Sequence, residues 1–383
     1  MLRFLTAGES HGPGLVTIVE GLPAGLEIDR EGLGAELARR RLGYGRGRRM
    51  AIEQDELEIL GGVRFGRTLG SPLAVLIRNT EWPRWQAEMS PDPGETRRKL
   101  QTPRPGHADL AGMLKYDTRD ARDVLERASA RETAARTVAG FAAKRLLGEV
   151  GVSVLSHVVA IGSVRVPDGV VPGAGDQDEI DASPVRAFDG AAAAAMIAEI
   201  EAAQADRDTL GGIVEVVVHG LPPGVGSHVH HDRRLDALLA GALMSIQAIK
   251  AVEIGDGFAT AGRRGSEAHD EIDHDGTGFT RRTDRAGGIE GGMSTGQPVR
   301  ARAAMKPLST LMRPLATVDV ETKEADAAFR ERSDVCSVPA AGVVAEAMAA
   351  VVVAREVQRQ FGGDTVADLR TAVEAYRKRI VGY

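Results

Sequence analysis

Cysteine is nearly absent: the 383 residues contain one, Cys336. That excludes an internal disulfide and any cysteine-built zinc centre, and it fits a reducing compartment. Aromatic residues make up 4% of the chain, leaving few platforms on which bases could stack. There is no excess of positive charge. The formal net charge is −6, which argues against a surface built to bind nucleic acid. Long apolar runs are also missing. The longest, residues 338–354, carries Glu346 at its middle and falls short of the ~20 residues a membrane span needs. The first residues, MLRFLTAGESHG, reach Gly8 and Glu9 too early to supply a signal peptide's apolar region. No GxxxxGK[ST] loop and no strand-bound GxGxxG occur, so neither a P-loop nor a Rossmann site is supported. These absences lead us to expect a soluble cytoplasmic protein with no membrane or nucleic-acid partner.

What is present can build a core: 43% hydrophobic residues, 27% charged and 46 glycines. No Ser/Gly- or Pro-rich spacer divides the chain, and we read residues 1–383 as one domain. Residues 14–20 alternate like a strand, stop at a GLPAG turn, and are followed by Asp29 as the cap of a helix bearing Leu33 and Leu37. The pattern returns at 212–218, GLPPG and Asp232 ahead of Leu235, Leu238 and Leu239, which hints at an internal duplication with pseudo-twofold symmetry. Further strands are expected at 72–77 and 152–159. The strongest helical patterns run over 125–149, 233–250 and 340–361, the last apolar nearly all round and therefore buried. Strands and helices do not alternate regularly, so the fold class expected is α+β, antiparallel sheets over a helical layer. Residues 88–106, 166–184 and 255–292 read as long irregular stretches, which are functional or mobile when found inside a compact domain.

Several groups could carry chemistry. Residues 39–49, RRRLGYGRGRR, hold six arginines and no acid. Such a cluster is an anion or nucleic-acid patch, and the acidic total favours a local site for a small polyanion. A solvated basic loop is the plainer alternative. His11 sits in a glycine-flanked turn and His107 on a Pro-Gly turn with Asp109, both poised on loops. Residues 127–133, RASARET, place arginines and hydroxyls at a helix entrance, where anions are readily bound. Lys306 with Ser309 and Thr310 could hold a phosphate or the edge of a heterocycle. Asp334 could be a simple helix cap. Cys336 lacks any sign of an activated thiol. His157 and His219 fall in strand patterns and read as packed or edge residues. His228, His230 and His231 lack the spacing that completes a metal site, and no metal is expected. Taken alone, these residues describe an enzyme-like domain with anion sites but do not name a reaction.

Six motifs in order, GESHG (8–12), RPGHAD (104–109), RASARET (127–133), GGMSTGQP (291–298), KPLST (306–310) and RSDVC (332–336), resemble the chorismate synthase family over nearly the whole chain. The resemblance implies a helical layer sandwiched between antiparallel sheets, usually as a homotetramer. It also implies conversion of 5-enolpyruvylshikimate 3-phosphate to chorismate by a 1,4-elimination of phosphate that requires reduced FMN. By it, His11 protonates the departing phosphate, His107 protonates the reduced flavin or keeps it neutral, and Asp334 helps accept the ring proton. Arg127, Ala128, Ser129, Gln247, Ala248, Gly291, Lys306, Pro307, Leu308, Ser309, Thr310 and Arg332 match FMN-binding positions. Arg49, Arg104 and Arg131 would face substrate. Arg40 and Arg46 match positions also associated with NADPH, a possible reductant. Ser333 stands where many members have histidine, and Thr295 where they often have asparagine. The alternatives are an NADPH-dependent flavin reductase without elimination activity and an arginine-patch nucleic-acid binder.

Overall fold

The computed structural model describes residues 1–47, 55–97, 99–276, 278–331 and 334–383. Arg49, Arg332 and Ser333 lie outside the described residues.

Strands β1 (Arg3–Ala7), β2 (Gly14–Glu20), β3 (Glu56–Gly61) and β4 (Leu73–Arg78) form one sheet in the order β1-β2-β4-β3. A second sheet uses β5 (Ser153–Ile161), β6 (Val164–Arg165), β7 (Gly212–His219), β8 (Ile249–Ile254) and β9 (Val299–Met305), in the order β8-β9-β7-β5-β6. Every pairing in both sheets is antiparallel. The principal helices are α1 (Arg30–Arg41), α2 (Asp109–Tyr116), α3 (Arg122–Ala128), α4 (Thr133–Gly148), α5 (Leu235–Met244), α6 (Val338–Phe361) and α7 (Val366–Val381).

The first sheet packs on α4, α4 packs on α1 and α6, and α6 packs on β5 and β7 of the second sheet. The class is therefore α+β, with helices between two antiparallel sheets. One continuous apolar cluster takes in residues of both sheets and the helices, from Leu15 and Val75 through Val138 and Val344 to Val216. Small residues make the α4–α6 contact close. A Cβ added at Gly140 would lie 2.2 Å from the Cβ of Ala347, so glycine is what that crossing admits. By length and composition α6 could cross a membrane, contrary to the shorter run read from sequence, but 94% of its most apolar window is buried inside the protein. Glu346 is tolerated there because it is paired. It accepts from Lys144 at 2.6 Å, from Arg39 at 2.9 Å and from Ser156 at 3.1 Å.

The strand at 14–20 forms as expected, and the Asp29 carboxylate accepts from the backbone N–H of Gly32 to cap α1. Three expectations need correction. The helix read over 125–149 is broken, because Ser129 is extended (φ −60°, ψ 140°) between α3 and a 3-10 turn at Ala130–Glu132. The helix read over 233–250 ends at Met244, and residues 249 and 250 belong to β8. Asp232 does not cap α5: it lies in a 3-10 turn, and Arg234 occupies the cap position without a side-chain bond. The two GLP turns do share positive φ at both ends, Gly21 at 87° and Gly25 at 89° against Gly220 at 76° and Gly224 at 87°.

Candidate active site

The turn after β1 lies on the end of α3. Ser10 N–H donates to the Glu126 carbonyl at 3.0 Å. The Glu126 carboxylate accepts from His11 N–H at 2.9 Å and meets the ring Nδ1 at 2.9 Å. Burial alone would raise the Glu126 pKa, but the bonds from His11 and the charge of Arg122 carry it below the usual carboxylate range. Trp85 stacks on the His11 ring at 4.0 Å. Asn79 braces the same turn: its amide donates to the Gly12 carbonyl at 2.9 Å and accepts from Arg131 Nε at 3.1 Å. Arg131 also meets Asp55 at 2.6 Å, and Arg41 approaches that carboxylate at 3.6 Å. Arg40, 4% exposed, reaches Thr133 Oγ1 at 3.4 Å. The Ser10 and Ser129 hydroxyls are 3.3 Å apart. The arginine-rich end of α1, the RASARET segment and the GESHG turn thus meet around His11.

A second group forms at the RPGHAD turn. Asp109, fully buried, accepts from Arg104 Nε at 2.8 Å. His107 Nδ1 lies beside Asp109 Oδ1 and, at 3.1 Å, beside Arg104 Nη2. A guanidinium only donates, so the protonated Nδ1 is bound by Asp109 and the bare Nδ1 by Arg104. Burial pushes the Asp109 pKa up, yet the bonds from His107 and Arg104 bring it down to about 2. The KPLST loop closes on this turn. Arg104 donates to Thr310 Oγ1 at 2.9 Å, Ser309 Oγ to the Gly106 carbonyl at 3.0 Å, and Lys306 Nζ to Ser309 Oγ at 2.9 Å. Burial, with Lys250 nearby, lowers the Lys306 pKa. Pro307 accepts from Lys306 at 3.4 Å and Leu308 from Thr209 at 2.9 Å, which ties the loop to the second sheet.

A third group joins the chain on either side of α1 and α6. Asp334 accepts from Gly47 N–H at 2.7 Å and from Ser337 Oγ at 2.7 Å, and pairs with Arg46 at 2.9 Å. It is not a simple cap, because Ser337 holds the cap position of α6 and makes no side-chain cap bond. Cys336 is fully buried and burial pushes its thiol up to about 11, far from an activated nucleophile.

Arg127 crosses to β1, donating to the Gly8 carbonyl at 3.0 Å and to Thr6 Oγ1 at 2.7 Å. With Gln247, Glu132, Arg136 and Ser245 it lines a cavity of about 410 Å³. Gln247 donates to Glu132 at 3.1 Å, while its buried Oε1 has no hydrogen-bond partner among the described residues. Ala248 takes φ 67° and accepts from Lys306 N–H at 2.9 Å, so this segment adjoins the KPLST loop. Gly291 lies apart, in the hairpin turn between Ile289–Glu290 and Met293–Ser294, and does not line the cavity. His157 is fully buried against Glu215, and His219 is half-buried at a strand end, as packed residues should be.

Sequence reasoning missed Glu126, Asn79, Trp85 and Asp55 as members of the site. No local signal marks them, since each reaches its partner across dozens of residues. Asp109 was legible, because Arg104, His107 and Asp109 fall within one turn.

Comparison with known proteins agrees with the motifs. The model of the chorismate synthase family matches residues 2–357. The chorismate synthase of Frankia casuarinae is 60% identical over 393 aligned residues, covering 100% of both chains, and that of Acidothermus cellulolyticus is 59% identical with the same coverage. A crystal structure of a chorismate synthase superposes with TM-score 0.80 at 38% identity, covering 100% of this chain and 99% of that one. With the family model matching residues 2–357 and relatives aligned end to end, the chain belongs to the chorismate synthase family.

Proposed function

We propose that this chain makes chorismate by 1,4-elimination from 5-enolpyruvylshikimate 3-phosphate, and that the residues gathered around His11, His107 and Asp334 carry the reaction. The observation that carries the reading is that Arg131 is tied through Asn79 to the turn bearing His11, with Arg40 on the adjoining Thr133 and Glu126 on the His11 ring. A polyanion needs several guanidinium groups to replace its water, and a departing phosphate needs a proton donor beside them. Arg131 and Arg40, with Arg104 and Arg49, hold the phosphate and carboxylates. His11 delivers its proton to the phosphate oxygen as the carbon–oxygen bond breaks and the electron pair leaves with phosphate. Asp334, steadied by Gly47, Ser337 and Arg46, takes the ring proton.

Reduced FMN, when bound, supplies the electron-rich ring this elimination requires, although no net redox change occurs. The residues present suit it. Arg127 and Arg136 offer cations to a phosphate at the mouth of the 410 Å³ cavity, and the buried Gln247 Oε1 is an acceptor that a ligand N–H or O–H would satisfy. Ala128, Ser129, Gly291 and the KPLST loop complete the proposed set, with Arg332. His107, balanced between Asp109 and Arg104, is suited to hold or release one proton beside that group. Arg40 and Arg46 are largely buried in ion-pair and hydroxyl contacts, which supports anchoring of substrate more than an exposed NADPH track. A flavin reductase would need no proton donor aimed at phosphate, and family membership disfavours it.

Assembly as a homotetramer in the cytoplasm accompanies this reading. Leu5 and Ile18, cross-strand neighbours on the outer face of the first sheet, are 73% and 41% exposed, an apolar pair that a second copy would cover. We also infer that the paired GLP units descend from an internal duplication.

Anaerobic incubation with reduced FMN and 5-enolpyruvylshikimate 3-phosphate tests the reading. Phosphate and chorismate should appear together, and omission of flavin should abolish both. Consumption of NADPH with FMN but without phosphate release would favour the reductase.

A further inference from the structure

We infer that Glu126 is a positioning residue for His11: its carboxylate holds the Nδ1–H tautomer, so that the exchangeable proton sits on Nε2, and sets a negative charge against the ring. The inference rests on His11 being the acid proposed above. The geometry is specific to that task. One carboxylate takes both the backbone N–H of His11 at 2.9 Å and the ring nitrogen at 2.9 Å, fixing the residue's backbone and its ring together. Glu126 is 3% exposed and His11 9%, so the attraction acts in a poorly screened environment. Trp85 covers one face of the imidazole at 4.0 Å, and Arg122 stacks over the same indole at 4.8 Å.

Arg122 closes the ring of four side chains by donating to Glu126 Oε1 at 2.9 Å. Its role toward His11 has the opposite sign. It competes for the same carboxylate and brings a positive charge toward the ring. The other charged groups near His11 are more remote: Glu331 meets Arg122 at 3.6 Å, Glu9 lies on the same turn, and Arg131 reaches that turn through Asn79. Among the described residues, Glu126 is a carboxylate bonded directly to the ring nitrogen, the contact that sets the tautomer.

The test uses full-length enzyme with reduced FMN and substrate, together with NMR titration of the His11 ring. Glu126→Gln keeps the shape of the side chain and removes its charge. The His11 midpoint should fall by about one pH unit, the shift expected for loss of an adjacent opposite charge. The alkaline limb of the kcat profile should move down with it, while turnover well below the midpoint is largely retained. An unmoved midpoint and limb would overturn the inference. Should Glu126→Gln fail to fold, Arg122→Gln answers the same question: the midpoint should rise, and no change would count equally against us. The two readings separate cleanly. Loss of turnover in His11→Ala with an unmoved midpoint in Glu126→Gln sinks the positioning role alone. Full turnover in His11→Ala sinks the acid assignment, whatever the titration shows.

Discussion

At His11 the ring nitrogen Nδ1 is bound by Glu126 at 2.9 Å, whereas at His107 the same atom lies between Asp109 and the Arg104 guanidinium. The first arrangement holds one tautomer. The second offers Nδ1 both an acceptor, Asp109, and a donor, Arg104. Substituting either histidine by alanine should lower kcat by about 100-fold or more, the usual loss when a general acid or base is removed. Near-normal turnover in steady-state assays of both variants would defeat the roles given them. Arg131→Ala should raise KM for the substrate far more than it weakens FMN binding, because Arg131 belongs to the His11 turn and not to the cavity at Gln247. Equal losses in calorimetric titrations of both ligands would mark Arg131 as structural. Much of the candidate site was legible in sequence because the groups proposed for it sit in short, glycine-bearing turns. The supporting residues were not, since Asn79 and Glu126 are ordinary strand-end and helical residues until folding brings them to the GESHG turn.

The break at Ser129 shows what periodicity alone misses. The apolar spacing of α3 and α4 runs on through residues 125–149, but the Ser129 hydroxyl accepts from Arg131 N–H at 3.3 Å and restarts the chain as a 3-10 turn. That turn is what brings Arg131 to Asn79 and Asp55. The opposite case is α6, which forms where its apolar pattern placed it because all its faces are covered. At the crossing of α4 and α6, Gly140→Val should destabilise the protein by at least about 1–3 kcal/mol, the range for overpacking a filled core. A melting temperature unchanged by that substitution would mean that the helices can part there. Asp232 and the apolar residues beyond Met244 mimic a longer helix around α5, but pairing of β8 with β9 claims Ile249 and, past a bulge at Lys250, Ala251 onward.

Across the molecule, one buried network joins layers: Glu346 of α6 meets Lys144 of α4, Arg39 of α1 and Ser156 of β5. Glu346→Ala removes the buried carboxylate these cations share, although Glu36 still pairs with Lys144 and Arg39 and Asp181 with Arg39, and it should cost up to about 3 kcal/mol in denaturant unfolding. A single cooperative transition is expected, because one apolar cluster spans both sheets, and two separated transitions would count against a single domain. Stability should also fall in acid. Asp109, brought down to about 2, and Glu126, Glu132, Glu215 and Glu346, all lowered, contribute stability above their unfolded values near pH 4, and that contribution is lost as the pH falls through their folded values. Asp109 alone accounts for about 2 kcal/mol of this. Asp284 has the reverse sign: burial lifts its pKa to about 6, so its contribution is present below pH 4 and lost as the pH rises through about 6. Melting temperatures should therefore climb from pH 2 to about 4, and Asp284→Asn should remove the opposing loss that Asp284 contributes between about pH 4 and 6. By itself the sequence determined the reaction family, the α+β class and the residues that carry charge, because these depend on composition, period and short motifs. Only the tertiary structure decided that Glu126 faces His11 and that Asn79 and Asp55 meet Arg131, because those outcomes rest on contacts between residues far apart in the chain.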